Sequence, residues 1–317
     1  MRFDALHIED DTGLPYKTQP TAAFCGAATA LREIELNNGT VRIDAQDVSA
    51  DHTRGIVETF LDARRAGASL PDFPGTIPDT LVDAYAVQDA AIAGWDDEVV
   101  GWKVGYIATE KRDVSGDERL LGPVFRRNLQ QATEGLEIAV FAPGGFGAIE
   151  AEYVLRLDAD APADKTEWTP EEAAALPSTL FVGLEVASSP LATINVLGPR
   201  VVVSDFGNNN GLVVGAEIPD WTSLDEATLR AESRIDDTVV GTGGATTLPG
   251  GLRAAFAFAL SRSARRGRPL KRGELIATGN ATGIHDILPG QRAHVVFEGR
   301  GEIRATVVAA TAQESSP

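Results

Sequence analysis

The sequence predicts an α+β fold in which two amphipathic helices precede a larger β-rich domain, and three observations carry the prediction. Apolar residues recur at helical spacing within residues 51–98. From Val99 to about residue 310 the pattern changes to short β-like runs divided by glycine, proline and acidic turns. A chain of 317 residues that is 43% apolar can bury a sizeable core.

Taken in order, residues 1 to about 24 lack periodicity and are punctuated by Pro15 and Pro20, so they read as an irregular arm. Ile34 and Leu36 alternate with polar residues, Asn37-Asn38-Gly39 supplies a turn, and Val41 and Ile43 resume the alternation, which predicts a hairpin within residues 1–50. Ser49 or Asp51 caps a helix that carries Ile56, Phe60 and Leu61 on one face and stops near Gly67. A second helix follows Pro78-Asp79, with Leu81, Tyr85, Gln88 and Ile92 on one side before Gly94.

The β-rich region, residues 99–310, contains candidate strands Val99–Tyr106, Ile149–Leu155, Leu180–Val186, Val201–Ser204, Gly211–Val214, Glu274–Ala277, Ala293–Phe297 and Ile303–Val308. Two helices interrupt them. Thr169-Pro170-Glu171-Glu172 has the residues of a capping box with proline at the first helical position, and Leu252 to Arg266 presents Leu252, Phe256, Ala259 and Leu260 on one side. Residues 311–317 read as a disordered tail.

Composition narrows the function. Acidic residues outnumber basic ones, 46 to 28, and the formal charge of −18 repels phosphate backbones and anionic membranes, so neither nucleic acid nor a membrane is expected as a partner. No basic leader or membrane-length apolar run is legible, and a cytoplasmic location is expected. Cys25 is the only cysteine, which excludes an internal disulfide and a thiolate metal cluster and leaves oxygen or histidine as metal ligands.

Against that background a few residues stand out. In Ile149-Glu150-Ala151-Glu152-Tyr153, a strand sends both glutamates to one face while Ile149, Ala151 and Tyr153 face a core. That arrangement suits a divalent cation; taken alone it is also the pattern of a solvated strand face. Glu185 interrupts the apolar run Phe181–Ala187, and an ionised carboxylate there needs a cation, either a metal or an arginine. Three carboxylates are hard oxygen ligands that favour Mg²⁺ or Mn²⁺ over zinc.

Lys103 is the lone cation of Val99–Gly105, flanked by Gly101 and Gly105. It either holds a substrate anion or keeps its head in solvent. Two glycine-rich turns, Ser204–Gly211 and Ala277–Asp286, offer small polar side chains and backbone N–H groups of the kind that bind a small carboxylate; Asn208, Asn209, Thr278 and Gly279 are the substrate-binding candidates. Neither turn is a dinucleotide or P-loop signature.

Read together and in order, Gly101-Trp102-Lys103-Val104-Gly105, Ile149-Glu150-Ala151-Glu152, Gly183-Leu184-Glu185-Val186, Asp205 ahead of Leu212-Val213-Val214-Gly215, and Thr278-Gly279 before Pro289-Gly290 resemble the 2-keto-4-pentenoate hydratase branch of the fumarylacetoacetate hydrolase superfamily. The resemblance spans residues 78 to 308. It implies a mixed β-roll or sandwich with an appended N-terminal helical region, a Mg²⁺ or Mn²⁺ cofactor held by Glu150, Glu152 and Glu185, and Lys103 as the active-site lysine. It also implies a 2-oxo acid substrate from the catabolism of aromatic or related compounds, and a homo-oligomer.

The sequence departs from the branch in three places. Asn208 and Asn209 stand where serines are usual, Leu120-Leu121 replaces an aspartate and an aromatic residue, and Ile284-His285-Asp286 is an addition. The expected reaction is hydration of a 2-hydroxypenta-2,4-dienoate, with Asp205 or His285 transferring protons, the latter because imidazole titrates near neutrality. Hydrolysis of an acylpyruvate, for which His52 beside Asp51 could be invoked, and decarboxylation of a 2-oxo-3-enedioate use the same kind of site. A catalytically silent partner subunit is the remaining alternative.

Overall fold

The computed structural model describes residues 31–36 and 39–312, with side-chain environments from residue 51 onward, so the predicted irregular arm, the Asn37-Asn38 turn, Cys25 and residues 313–317 of the predicted tail lie outside it. The chain divides into two units, residues 1–48 and 49–317. In the first, β1 (Leu31–Leu36) and β2 (Gly39–Asp44) form the expected antiparallel hairpin, with Leu36 opposite Gly39.

Helix α1 (Ala45–Ala66) begins several residues before the predicted caps Ser49 and Asp51, directly after β2, and turns Ile56, Val57, Phe60 and Leu61 into the core of the second unit. Helix α2 (Leu81–Gly94) starts at Thr80, whose hydroxyl accepts from the Asp83 N–H while the Asp83 carboxylate accepts from the Thr80 N–H. These reciprocal bonds satisfy two backbone donors left free at a helix start. Gln88 is fully buried on α2 and donates to the carbonyls of Leu121 and Val203, at 2.9 and 3.0 Å.

The strands that follow are β3 (Val99–Tyr106), β4 (Arg119–Phe125), β5 (Leu129–Gln131), β6 (Glu137–Val140) and the long β7 (Phe146–Leu157). After α3 (Pro170–Ala175), which has the predicted capping box and proline, comes β8 (Ser178–Ser189). Next are the short helices α4 (Ile194–Leu197) and α5 (Pro199–Ser204) and strand β9 (Asn209–Ile218). The chain continues through β10 (Arg230–Ile235), β11 (Thr238–Gly244), α6 (Gly251–Arg265), β12 (Leu275–Ala277), β13 (His285–Asp286), β14 (Arg292–Phe297) and β15 (Gly301–Ala309).

One element departs in type from the prediction: Val201–Ser204 is the end of helix α5, not a strand. Proline at its first position presets the helical φ, and the three valines are buried, where packing overrides their β preference.

Two sheets form the body of the second unit. One has the order β4-β3-β12-β7-β8-β9-β5, with β13 also paired to β7, and the other has the order β11-β10-β14-β15-β6. On β7, Ile149, Ala151 and Tyr153 belong to the main core, and Tyr153 meets Phe297 of β14 edge to face at 5.2 Å. The opposite face of β7 is also covered: Val154 sits there with Val100, Val124, Leu212 and Val214. Gly101 permits the close approach of β12 to β3, because a side chain at this position would collide with the Leu275 backbone. Among the described residues no helix is long and apolar enough to cross a membrane.

Candidate metal and substrate site

Strand register builds the site. β7 and β8 pair antiparallel with Glu150 directly opposite Glu185, so the alternation that places Glu150 and Glu152 on one face brings Glu185 to the same face. All three carboxylates are buried, at 2%, 0% and 0% exposure, which overturns the solvated-face alternative. Each contributes an oxygen to a cluster whose members lie within 4.8 Å of one another.

Lys103 reaches this cluster from β3. Its Nζ lies 3.3 Å from Glu185 Oε1 and donates to Asn208 Oδ1 at 3.0 Å. The side chain is 4% exposed, so the alternative of a head in solvent does not hold. Burial alone would lower its pKa, but Glu185, Glu150 and Glu152 outweigh it and hold the ammonium above its ordinary value.

The carboxylates are under the opposite stress. Burial, reinforced by the charge of Glu185 and opposed by Lys103, pushes Glu150 up to about 7; the Asn280 amide beside it favours the ionised form. Burial and the charges of Glu185 and Glu150 hold Glu152 well above the usual range, although its Oε2 accepts from the Gly279 N–H at 2.7 Å. One oxygen on each glutamate, Oε1 of Glu150, Oε1 of Glu152 and Oε2 of Glu185, is buried with no hydrogen-bond partner. With all three ionised, one ammonium leaves two negative charges uncompensated. The donor set, the spacing and the three orphaned oxygens therefore fit a hard divalent cation held by Glu150, Glu152 and Glu185.

A cleft of about 440 Å³ opens on this cluster. Buried Lys103, Glu150 and Asn208 line it together with Asn280, while exposed Glu110, Lys111 and Asp286 form a charged rim. Tyr106, Phe146 and Ile284 add apolar wall.

The sequence-predicted residues distribute unevenly around this cleft. Asn208 lines it and, besides Lys103, contacts Asn195 Oδ1 through Nδ2 at 3.1 Å. Asn209 instead donates to Glu185 Oε1 at 3.1 Å. Gly279 contributes its N–H to Glu152, whereas the Thr278 hydroxyl is engaged by the Tyr153 carbonyl at 2.8 Å. Two groups are placed elsewhere. Asp205 accepts from Arg64 Nε at 2.5 Å, Arg64 Nη2 at 3.0 Å and Ser189 Oγ at 2.6 Å, and its buried carboxylate is not part of the cleft wall. The His285 ring lies against Gly241 with Nε2 3.0 Å from the Thr282 carbonyl oxygen, and its neighbour Asp286 lines the cleft.

Arg64 is the residue that sequence reasoning missed behind the site. From α1 it also reaches Asn210 Oδ1 and the carbonyls of Asn209 and Ser188, and it lies over the rings of Phe206 and Phe141. It thereby clamps a turn in which Phe206, Gly207 and Asn208 all take positive φ, at 54°, 66° and 56°. Two non-glycine residues in this region are strained, and such a turn persists only where its surroundings fix it. An arginine at the end of a predicted amphipathic helix gives no signal of this role, because only the tertiary fold buries it.

No family model and no curated protein matches the sequence. Among solved structures, the chain is similar to 4-oxalocrotonate decarboxylase from Pseudomonas putida G7. The complex of that protein with magnesium and adipate superimposes with a TM-score of 0.68 at 20% identity, over 82% of this chain and 98% of that one. Its complex with calcium and acetate gives 0.67 over the same shares. The fold is that of the fumarylacetoacetate hydrolase-like proteins. Fumarylpyruvate hydrolase from Pseudomonas aeruginosa, solved with Mn²⁺ and pyruvate, is more distant, with a TM-score of 0.49 at 16% identity over 68% of this chain and 93% of that one. In this chain β7 and β8 lie side by side, and that pair assembles the glutamate cluster.

Proposed function

We propose that the protein is a divalent-metal-dependent enzyme acting on 2-oxo acids, and that it hydrates a 2-hydroxypenta-2,4-dienoate-type substrate. The observation that carries the reading is the cluster of three buried glutamates, each with an unpartnered oxygen, beside a charged lysine on the wall of an open cleft. When bound there, Mg²⁺ or Mn²⁺ supplies a Lewis acid for the substrate's C1 carboxylate and C2 oxygen.

The chain's own residues supply the rest. Lys103, fixed by Asn208 and Glu185, presents a pre-oriented ammonium to negative charge developing on the C2 oxygen. Because the ammonium is buried, little water screens it, and its effect on an enolate exceeds that of an exposed lysine. Stabilising charge at C2 lets the dienol tautomerise to an α,β-unsaturated ketone, which accepts water at C4.

Decarboxylation of a 2-oxo-3-enedioate is the second reading, favoured by the fold shared with 4-oxalocrotonate decarboxylase. The rim argues for the first: a second substrate carboxylate would meet Lys111 but also Glu110 and Asp286, whereas an uncharged tail meets Tyr106, Phe146 and Ile284 without that repulsion. C–C hydrolysis by a histidine–acid pair has less support. Neither His285 nor His52 lines the cleft, and His52 Nε2 sits 3.1 Å from the Thr76 backbone. A silent subunit is disfavoured by the complete set of three glutamates and a lysine.

The test is a panel of a 2-hydroxydienoate, an acylpyruvate and a 2-oxo-3-enedioate, each followed by ultraviolet absorbance with Mn²⁺ or EDTA and product analysis. Metal-dependent hydration of the dienoate is expected. Turnover of the enedioate alone would replace hydration by decarboxylation, and no metal-dependent turnover would remove the reading.

A further inference from the structure

We propose that Asp286 is the proton-transfer group of the cleft, an inference that rests on the hydratase reading. Strand β13 pairs antiparallel with β7, His285 opposite Ile149 and Asp286 opposite Ala148. Residues directly opposite in such a pair share a face. Ala148, Glu150 and Glu152 alternate onto one face of β7, so Asp286 joins the glutamates, while His285 joins Ile149 on the other. The side-chain surroundings agree: Asp286 lines the cleft and the His285 ring packs on Gly241.

Along the strand, the two residues from Ala148 to Glu150 offset Asp286 by about 7 Å at ~3.3 Å rise per residue, and with about 5 Å between neighbouring strands the separation from the glutamate position is about 8 Å. That spacing leaves room for a substrate held at the cluster by C1 and C2, with a water between its C4 and the Asp286 carboxylate.

The other titratable groups of the cleft have different positions or tasks. Glu150 belongs to the cluster, and Lys103 is kept protonated by the carboxylates around it. Tyr106 accepts from Arg112 Nη2 at 3.0 Å, and Glu110 and Lys111 lie on the separate turn Thr109–Lys111. Among the described residues, the Asp286 carboxylate makes no hydrogen bond or ion pair within the protein, and the residue is exposed where it lines the cleft. Its sequence neighbours Ile284 and His285 do not compete for the task, one being apolar and the other turned away.

The step balances without an outside reagent. As the water oxygen bonds C4, one water proton passes to the Asp286 carboxylate and the C3–C4 π electrons move into the enolate at C2–C3, with charge on the C2 oxygen beside Lys103. The carbonyl then re-forms at C2, C3 takes the proton from Asp286, and the aspartate returns to its ionised state. One water has been added across C3–C4.

Asp286→Asn tests this with little risk to the fold, because the side chain is exposed and the replacement nearly isosteric. The variant should lose about 10² to 10⁴-fold in dienoate hydration. It should keep wild-type Mn²⁺ affinity and unfolding temperature. Hydration within threefold of wild type would overturn the role of Asp286 alone. A wild-type protein that binds no Mn²⁺, or turns over no dienoate, would overturn the functional reading and this inference together.

Discussion

Arg64→Met removes one partner of a buried ion pair whose side chains are 4% and 1% exposed, with Nε and Nη2 of Arg64 at 2.5 and 3.0 Å from the two Asp205 oxygens. The methionine fills part of the volume but leaves the Asp205 carboxylate buried with only the Ser189 hydroxyl as a donor. Uncompensated burial of this kind costs about 3 to 5 kcal/mol. At about 2 to 4 °C per kcal/mol for a domain of this size, the unfolding temperature should fall by roughly 6 to 20 °C. Asp205→Asn in the Arg64→Met background removes the stranded charge and should recover a large part of that loss. The assay is a double-mutant cycle by thermal and urea unfolding. An Arg64→Met protein within about 2 °C of wild type, or a double variant whose losses simply add, would refute the clamp and with it the account of how the strained 206–208 turn is held.

The remaining predictions concern the cluster. The folded-state pKa of Glu150, about 7, lies above its ordinary 4.5, so the stability tied to its neutral form is complete below 4.5 and is lost as pH rises through 7. The loss amounts to about 3 kcal/mol. Protein in EDTA should therefore melt lower at pH 8 than at pH 5.5, and Mn²⁺ should raise its melting temperature more at pH 8; an equal rise at both would contradict the assignment. Lys103→Met should lower turnover about 10² to 10³-fold. Because it removes a positive charge 3.3 Å from Glu185, it should bind Mn²⁺ at least as tightly as wild type, and isothermal titration separates the two effects. Asn209→Ala removes the donor 3.1 Å from Glu185 Oε1 and should weaken Mn²⁺ binding about 10 to 100-fold; unchanged affinity would reduce Asn209 to a packing residue.

Local periodicity made the two helices, the first hairpin and the central strands legible, and the alternation in residues 149–153 was enough to place both glutamates on one face. What escaped depended on exceptions to local rules. Strand β4 contains Gly122-Pro123, which reads as a turn, yet β4 ends the order of its sheet, where a proline costs no ladder bond. The β10–β11 hairpin turns through Asp236 and Asp237, both at positive φ (47° and 67°), without the Asn-Gly or Asp-Gly signal that announces such turns. Within the site, Glu150, Glu152, Glu185 and Lys103 could be singled out because a charge in an apolar strand is conspicuous. The separation of His285 from Asp286 could not, since it depends on which of two adjacent residues β13 turns toward β7's glutamate face. Arg64 acts on residues more than 120 positions away, and no sequence spacing encodes that contact.

The central claim is that Glu150, Glu152 and Glu185 together hold one divalent cation. Titrating Mn²⁺ into the wild-type protein and Glu185→Gln, with the free ion followed by electron paramagnetic resonance, tests it directly. One ion per wild-type chain and an affinity at least about tenfold weaker in the variant are predicted. Equal Mn²⁺ binding by both proteins, with both fully folded, would contradict it.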